Sequence, residues 1–532
     1  MLTASFLLLT GAASRLGAQS ELPGVFGEVL DVRVVDVEVV VTGPDGNRVR
    51  GLNREDFRLV VDGEETSIDY FTEVRGGVSV EEGAGPGPDD GFRPGEPVGT
   101  SYLIFIDDFF SVARDRNEVL DSLEKQVGGL RPNDRMAVVA FDGNELEMLT
   151  TWTRNPAALE RALKEARRRT SYGLQRLAER RQGADRDLGR GFGRTPSVGR
   201  RDLGIDEEHY ARLLQEQIQR SVIAASATLR AFASPPGRKV MVLLSGGWPF
   251  RPADYVAGEF ARGTLEVDVE GGEELLRPLT DTANLLGYTL YPVDVPGLVS
   301  TGPDASQAVP REIDYSFRER ETHSTLSFLA ERTGGRAMLD SRRMSAMEEV
   351  VRDTRTYYSL GFTLDREGDD RHHDIRVELR NPRLRARYRD GFGDFSRRTE
   401  VTMAMESGLL FGNAPSTGRL GLRLGEPVRA GFRRVELPIA VAIPLERLTF
   451  VPVGDELVAE VELRLAVRDE NGDTAPIPVI PLTLRRQERP EEGDVEAFRT
   501  SLKLRRVDHE LVVSIFEPVS ESLLSARAEI DL

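Results

Sequence analysis

Six apolar runs between residues 100 and 393 carry the strongest structural signal in the chain. Continuous runs of this kind are typical of strands buried on both faces of a parallel sheet. Segments with helical spacing, among them 113–128 and 156–168, separate most of the runs. This alternation predicts an α/β domain over 100–393 with a doubly wound, mostly parallel sheet. The predicted strands are 102–106, 135–141, 239–245, 287–295, 334–339 and 356–364.

The regions on either side of this domain have the patterns of β structure. Residues 29–41 alternate apolar and polar positions, and Asp62-Gly63 is a hairpin signal, so 25–75 is predicted to be an N-terminal β module. Residues 76–99 are rich in Gly, Pro and acidic residues, which is typical of a flexible linker. Short strands separated by turns predict a β-sandwich-like domain over 425–532.

An Arg/Gly-rich segment, residues 167–206, interrupts the predicted α/β order. One interpretation is a docking patch for an acidic partner. The other is a solvated, partly helical insertion, which is the more common role of such charge runs.

Residues 1–20 resemble a secretory signal peptide. The apolar run Leu2–Leu9 leads into small residues that end at Ala18-Gln19, in the order of an h-region and a cleavage site. The positively charged n-region is missing, and an ordinary hydrophobic N-terminal helix is the alternative. The pattern predicts a secreted or periplasmic protein. No apolar run is long enough to predict integral membrane insertion.

Composition excludes several classes of function. The net charge of −18 argues against a nucleic-acid-binding protein, which needs a positive surface. The chain has no cysteine, so disulfides, thiolate catalysis and zinc–thiolate sites are excluded. Its five histidines are scattered along the sequence, which makes a histidine-rich metal centre a poor interpretation.

The candidate site lies where the predicted strands end, because ligands of open α/β sheets bind beyond the carboxyl ends of the strands. An aspartate at a strand end, with a hydroxyl on the turn into the next helix, can place two oxygen ligands on a hard cation. The predicted partner-binding face consists of Asp107, Asp108, Ser111, Ser245, Gly246, Trp248 and Asp294.

At these residues the chain resembles a known family. YLIFIDDFFS, RPNDRMAVVAFDGN, KVMVLLSGG and YYSLGFTL occur in the order found in von Willebrand factor A domains. The closer similarity is to the VWFA-related family described from Acidobacteria, which shares the N-terminal VVDVEVVVTGPDGNRVRGLNREDFRLVVDGEETSIDYF and the closing HDIRVELRNPRLRARYRDGF. The resemblance covers about residues 25–393 and implies a Rossmann-like α/β fold.

The resemblance also implies a metal-ion-dependent adhesion site, and here the pattern is degenerate. Asp107 matches the family's first aspartate and Ser111 its second serine, whereas Phe109 replaces the first serine. The third-loop aspartate is replaced by Ser245 or Gly246, and Thr170, Ser171 and Thr195 are undistinguished candidates for the threonine. The metal ligands would be Asp107, Ser111 and Asp108, binding Mg²⁺ or another divalent cation.

The alternative role of Asp107 is to cap the following helix without any metal.

The sequence therefore predicts a non-enzymatic, extracytoplasmic adhesion or protein-interaction protein whose partner is another protein. A structural scaffold of an envelope assembly is the first alternative. A serine hydrolase using Ser245 and Asp294 is a remote one, because the sequence places no histidine base near them. A partner-binding assay with and without EDTA distinguishes the first two.

Overall fold

The computed structural model describes residues 33–80, 95, 97–176, 205–233, 237–258, 269–296, 312–364, 368–411, 418–470, 474–475 and 477–532. The signal-peptide-like segment 1–20, most of the predicted linker 76–99 and most of the insertion 167–206 lie outside the described residues. The described residues fall into two compact units, a larger one within Val32–Ser396 and a smaller one, Arg397–Leu532.

The larger unit contains three sheets. Its described strands are β1 (Arg33–Thr42), β2 (Phe57–Val61), β3 (Glu64–Thr66), β4 (Tyr70–Arg75), β5 (Val78–Val80), β6 (Thr100–Asp107), β7 (Arg135–Phe141), β8 (Leu146–Thr153), β9 (Arg238–Ser245), β10 (Tyr288–Asp294), β11 (Tyr357–Leu364), β12 (His372–Leu379), β13 (Arg385–Arg387) and β14 (Gly391–Gly393).

Most helices of the larger unit connect strands of one sheet. They are α1 (Ala113–Val127), α2 (Pro156–Arg168), α3 (Ile205–Ala231), α4 (Pro252–Ala257), α5 (Glu273–Leu285), α6 (Glu312–Arg332) and α7 (Ala346–Thr354), with 3₁₀ turns at Arg54–Asp56 and Asp340–Ser345. None of the helices in the described residues is long and apolar enough to cross a membrane.

The central sheet has the strand order β10-β9-β6-β7-β8. Its first four strands are parallel, and β8 is antiparallel to β7. Every residue of β6 is buried, which explains the lack of polar alternation in its sequence. Ile104 and Ile106 pack with Val119 and Leu123 of α1 in one apolar cluster.

The other two sheets of the larger unit pack into a β-sandwich, with strand orders β13-β1-β11-β4-β5 and β14-β12-β2-β3. The alternation of β1 places Val37 and Val39 in the core, where Leu59 of β2 and Phe362 of β11 also lie. Strands of residues 33–80 therefore share both sheets with strands of residues 357–393, and the predicted N-terminal module is built together with the C-terminal part of the predicted α/β domain.

The fold class predicted from the sequence is wrong. The described residues form five sheets, more strand than helix, and parallel pairing outside the central sheet is limited to one short pair in the smaller unit. The predicted fifth strand, 334–339, makes a single bridge between Met338 and Val293. The predicted sixth strand, 356–364, pairs antiparallel with β1 and β4 in the sandwich instead. An apolar run shows that a strand is buried, but it does not show in which sheet.

The smaller unit is a helix followed by two packed sheets. Its elements are α8 (Arg397–Phe411), β15 (Gly418–Arg419), β16 (Gly421–Leu424), β17 (Val428–Arg429), β18 (Arg434–Pro444), β19 (Val451–Val453), β20 (Glu456–Asp469), β21 (Val479–Arg486), β22 (Val495–Arg505), β23 (His509–Glu517) and β24 (Ser522–Ile530), with a 3₁₀ turn at Leu445–Arg447.

The sheets of the smaller unit follow from alternation. In β18, Leu437, Ile439 and Val441 point to the core between the sheets, while the residues between them are more exposed. One sheet has the order β15-β24-β23-β20-β19, with β21 also on β20. The other has β16, β17 and β22 all paired with β18.

Candidate functional site

Three strands of the central sheet end in polar residues at the same edge. β6, β9 and β10 end at Asp107, Ser245 and Asp294. Ile106 lies beside Leu244 in the parallel register, and Ser245 lies beside Asp294. Because neighbours in register project to the same face of a sheet, the three polar side chains form one row.

Asp107 occupies the centre of this row and is fully buried. Its Oδ2 accepts hydrogen bonds from Ser245 Oγ at 2.9 Å and from Trp248 Nε1 at 2.7 Å. Its Oδ1 accepts one from the backbone N–H of Phe110 at 3.2 Å. Burial raises the pKa of Asp107 to about 7, and these hydrogen bonds oppose the rise.

The residues around Asp107 do not fit the metal ion that the family resemblance implies. Both carboxylate oxygens face N–H or O–H donors, which occupy the directions that a cation needs. The Oγ of Ser111 is buried and forms no hydrogen bond within the described residues. Among those residues, this hydroxyl is the only oxygen beside Asp107 that is free to bind a metal ion. One hydroxyl is too few for a divalent ion.

The turn after β6 is also covered from two sides. The backbone N–H of Gly173 donates to the carbonyl of Ser111 at 3.0 Å, so the segment after α2 lies directly on this turn. A Cβ at Gly246 would overlap the carbonyl oxygen of Phe110. Phe109, which stands at the family's first serine, packs edge-on against Phe141. Thr170 is exposed, and Thr195 lies outside the described residues.

Asp108 belongs to a buried ion-pair network. Arg116 Nη1 donates to Asp108 Oδ1, and both side chains are 0% exposed. Arg169 Nε donates to Asp108 Oδ2 at 2.7 Å. Arg116 also donates to the backbone carbonyls of Arg167 and Arg169, so this network ties the end of α2 to the turn after β6. Asp108 is therefore committed to arginines and not to a metal.

The predicted partner-binding face is largely interior. The side chains of Asp107, Asp108, Ser111, Ser245 and Trp248 lie in residues that are 0% exposed, Asp294 is 3% exposed, and Gly246 is half-buried. A partner cannot reach the first five side chains in this structure. The physical reason is that loops after β6, β9 and α2 close over the sheet edge and supply one another's hydrogen bonds.

Asp294 differs from Asp107 because it lies beside polar side chains that remain partly exposed. His323 Nε2 of α6 lies 3.2 Å from Asp294 Oδ2. Asp294, His323 and Asp340 each have one atom that could bind a metal ion, and these three atoms lie within 4.8 Å of one another. The hydrogen bond to Asp294 raises the pKa of His323.

Sequence reasoning missed Arg116, Arg169, His323 and Asp340. Arg116 and His323 sit in helices, where charged residues are ordinarily solvated, and Asp340 follows a segment without regular structure. The sequence signal for Asp340 was its position directly after the predicted strand 334–339. In the structure it adopts φ 55°, a conformation in which aspartate is over-represented. Nothing in the local sequence connects these residues to Asp108 or Asp294.

Comparisons with known proteins add distant similarities. No family model matches the chain, and no curated protein matches it. The chain is similar to a Bacteroides uniformis beta-glucuronidase 2 bound to cyclophellitol-6-carboxylate aziridine, with 10% identity and a TM-score of 0.15, covering 21% of this chain and 13% of that enzyme. The chain thus spans about an eighth of the glucuronidase's length.

Two smaller structures are covered almost completely. The TFIIH p34 N-terminal domain matches with 12% identity and a TM-score of 0.18, over 47% of this chain and 96% of that domain. The SpRpn10 VWA domain matches with 13% identity and a TM-score of 0.15, over 40% of this chain and 98% of that domain. The similarity to a VWA domain is therefore distant, and TM-scores of this size do not indicate a shared fold.

Proposed function

We propose that this chain is a non-enzymatic protein-interaction protein that acts outside the cytoplasm and binds an acidic, partly apolar segment of a partner protein. The observation that carries this proposal is a groove of about 530 Å³ between α1 and α7. We call it the α1–α7 groove. The residues that line it are Gly76, Lys125, Gln126, Gly129, Met347, Glu348, Val351, Arg352, Arg355 and Thr356.

The α1–α7 groove combines an apolar floor with a basic rim. Met347 and Val351 of α7 face it, and the lining includes Lys125, Arg352 and Arg355 against the single carboxylate of Glu348. No carboxylate of the described residues lies within ion-pair distance of any of these three cations. A volume of this size is in the range of ligand-binding clefts.

The charge of the groove is opposite to that of the chain as a whole. The chain carries a net charge of −18, so a local excess of unpaired cations is not a general property of its surface. Such a patch attracts an acidic segment of a partner. The backbone carbonyl of Met344, a residue that is 40% exposed, accepts a hydrogen bond from Nε2 of Gln126 at 3.0 Å.

The sequence supports the remaining parts of the proposal. The resemblance to the VWFA-related family favours a role in protein interaction, and the pattern of residues 1–20 favours export. Ser245 Oγ donates its proton to Asp107, and the residue is 0% exposed. This supports a structural role for the serine, because a substrate cannot reach a fully buried hydroxyl.

The proposal is tested with a fluorescein-labelled peptide of alternating glutamate and leucine, measured by fluorescence anisotropy. Lys125→Glu combined with Arg352→Glu is expected to weaken binding at least about tenfold, because like charges then face each other. The matched control is Arg161→Glu with Lys164→Glu on α2, which makes the same change in net charge at exposed positions. Binding that is equally weakened by the control pair, or unchanged by the groove pair, contradicts the groove. No binding at all favours the structural-scaffold alternative.

Export and the absence of catalysis need separate measurements. Mass spectrometry of the protein recovered from a periplasmic fraction should show a new N-terminus close to residue 20. A serine-directed phosphonate should leave Ser245 unlabelled. Labelling of Ser245 would restore the hydrolase alternative.

A further inference from the structure

We propose that Asp294, His323 and Asp340 form a binding site for one divalent transition-metal ion of the zinc or manganese class. The site is separate from the α1–α7 groove and does not depend on it. Three elements supply the ligands: the end of β10, the middle of α6 and the 3₁₀ turn that begins at Asp340.

The donor set matches this class of ion. One imidazole and two carboxylates are ligands that zinc, manganese and non-haem iron accept, and three protein ligands leave a position for water or a partner's group. The candidate ligand atoms lie within 4.8 Å of one another. In a tetrahedral zinc site the ligand atoms are about 3.3 Å apart, so side-chain rotations of modest size close the site.

Asp294 is the residue of the three whose surroundings best fit a metal ligand. Its side chain is 5% exposed, and its one side-chain partner within the described residues is His323. No donor of the described residues forms a hydrogen bond to Asp294 Oδ1, so this oxygen of a largely buried side chain is available to a metal ion. No lysine or arginine of the described residues lies within ion-pair distance of Asp294 or Asp340.

Further negative charge surrounds the site. Asp115, at the start of α1, is close enough to Asp294 that their repulsion contributes to a raised pKa of Asp115, after the larger effect of burial. Glu319 and Asp340 are also close enough to the ring of His323 to interact with it electrostatically. Arg343, which lies near Asp115, donates to the carbonyl of Val295 and pairs with Glu118. A cation at the three ligands would compensate this excess of carboxylates.

A second group of the same composition, Asp369, His373 and Asp394, shows what a closed arrangement looks like. Both ring nitrogens of His373 are engaged, Nδ1 with Asp62 at 2.7 Å and Nε2 with Asp369 at 3.1 Å. The ring also stacks on Phe392. His373 therefore has no nitrogen lone pair to offer. His323 has a single such contact and is 20% exposed, so an ion can reach it from solvent.

The site is tested on the full chain after EDTA treatment, with Zn²⁺, Mn²⁺ and Co²⁺ as probes. Isothermal titration with Zn²⁺ should show one site that Asp294→Asn and His323→Gln each weaken at least about tenfold, since loss of an outer partner alone costs that much at metal sites. Bound Co²⁺ should give visible d–d bands without a thiolate band, because the chain has no cysteine.

The matched control is His373→Gln, which removes the corresponding histidine of the closed group and should leave Zn²⁺ affinity and the Co²⁺ spectrum unchanged. Near-ultraviolet circular dichroism identifies any variant that fails to fold. If Asp294→Asn does not fold, His323→Gln carries the test, because His323 is on the solvent side of the site. Absence of saturable binding, binding indifferent to both ligand variants, or binding lost in His373→Gln would each overturn the proposal.

Discussion

Asp107 and Asp294 stand at the same edge of the same sheet, each at the carboxyl end of a buried parallel strand, yet their surroundings are opposite. Asp107 accepts three hydrogen bonds and is enclosed by loops. Asp294 has one histidine partner and further carboxylates nearby. The strand fixes the position of each aspartate at the sheet edge. The hydrogen-bond donors that the loops supply determine whether its carboxylate is a structural acceptor or a candidate metal ligand.

The difference originates in what each loop brings to the sheet edge. The loop after β9 supplies Trp248, whose N–H satisfies Asp107, and the chain before α3 supplies Arg169 to Asp108. No comparable donor reaches Asp294 from the described residues after β10. Removal of a hydrogen-bond donor should therefore affect Asp107 and Asp294 very differently.

The largest effect is expected at the buried ion pair beside Asp107. Arg116→Ala leaves Asp108 buried with one arginine fewer, and should lower the free energy of unfolding of the larger unit by about 3–5 kcal/mol. Both tryptophans of the chain, Trp152 and Trp248, lie in the larger unit, so tryptophan fluorescence in urea reports its unfolding selectively.

The control is Arg114→Ala, which removes an arginine that is 80% exposed from the same helix and breaks a surface pair with Glu118. It should cost no more than about 1 kcal/mol. If both substitutions lower the free energy of unfolding equally, the ion pairs of Asp108 are not what stabilises the turn after β6 against the end of α2.

The second effect concerns pH. The pKa of Asp107 rises from 3.8 to about 7 on folding, so the protonated carboxyl stabilises the folded state below pH 3.8 and this contribution is lost as the pH rises through about 7. Asp107→Asn cannot lose a proton. Its stability relative to the native chain should increase from pH 4 to pH 8 by at most about 4 kcal/mol.

The measurement is the urea midpoint at a series of pH values for both proteins. A difference that does not change with pH between 4 and 8 would mean that Asp107 has an ordinary pKa and is more solvated than the structure shows.

A smaller effect is expected when Asp107 loses one donor. Trp248→Phe keeps an aromatic ring but removes the N–H that donates to Asp107, which should cost about 1–3 kcal/mol. The control is Trp152→Phe, because Trp152 is only half-buried and packs edge-on against Phe232. The remaining tryptophan reports unfolding in each variant. Similar costs for both substitutions would indicate that ring size and not the indole N–H is responsible.

The smallest effect is expected on the pKa of His323 in the metal-free protein. Asp294→Asn removes the acceptor that raises the pKa of His323, so this pKa should fall, as measured by NMR of the imidazole protons of the five histidines. The resonances of His373 serve as the internal reference. An unchanged His323 titration would mean that the two side chains do not interact in solution.

The sequence predicted local elements well and their partners poorly. β7 was predicted at its observed limits, 135–141, and α2 at 156–168, because a continuous apolar run and a Pro start with helical spacing are local signals. The pairing of β1 with β11 joins residues more than 300 positions apart, such as Val37 and Leu360. Nothing in either segment specifies the other, and this pairing is what made the predicted fold class wrong.

The candidate site was also predictable only in part. Strand ends identified Asp107, Ser245 and Asp294 as neighbours, since parallel strands share an edge. Burial of the row was not predictable, because it depends on Gly173 and Trp248, which arrive from loops whose course the sequence pattern does not encode. His323 projects from the middle of a helix and could not be assigned to Asp294 without the packing of α6 on β10.

The most direct measurement of the contrast between the two ends is anomalous diffraction from a crystal of the full chain soaked in Mn²⁺. One anomalous peak is expected, bounded by Asp294, His323 and Asp340. None is expected beside Asp107, where Trp248 Nε1 and Ser245 Oγ donate to the carboxylate. A peak between Asp107 and Ser111, or an empty Asp294 site at saturating Mn²⁺, would contradict this contrast.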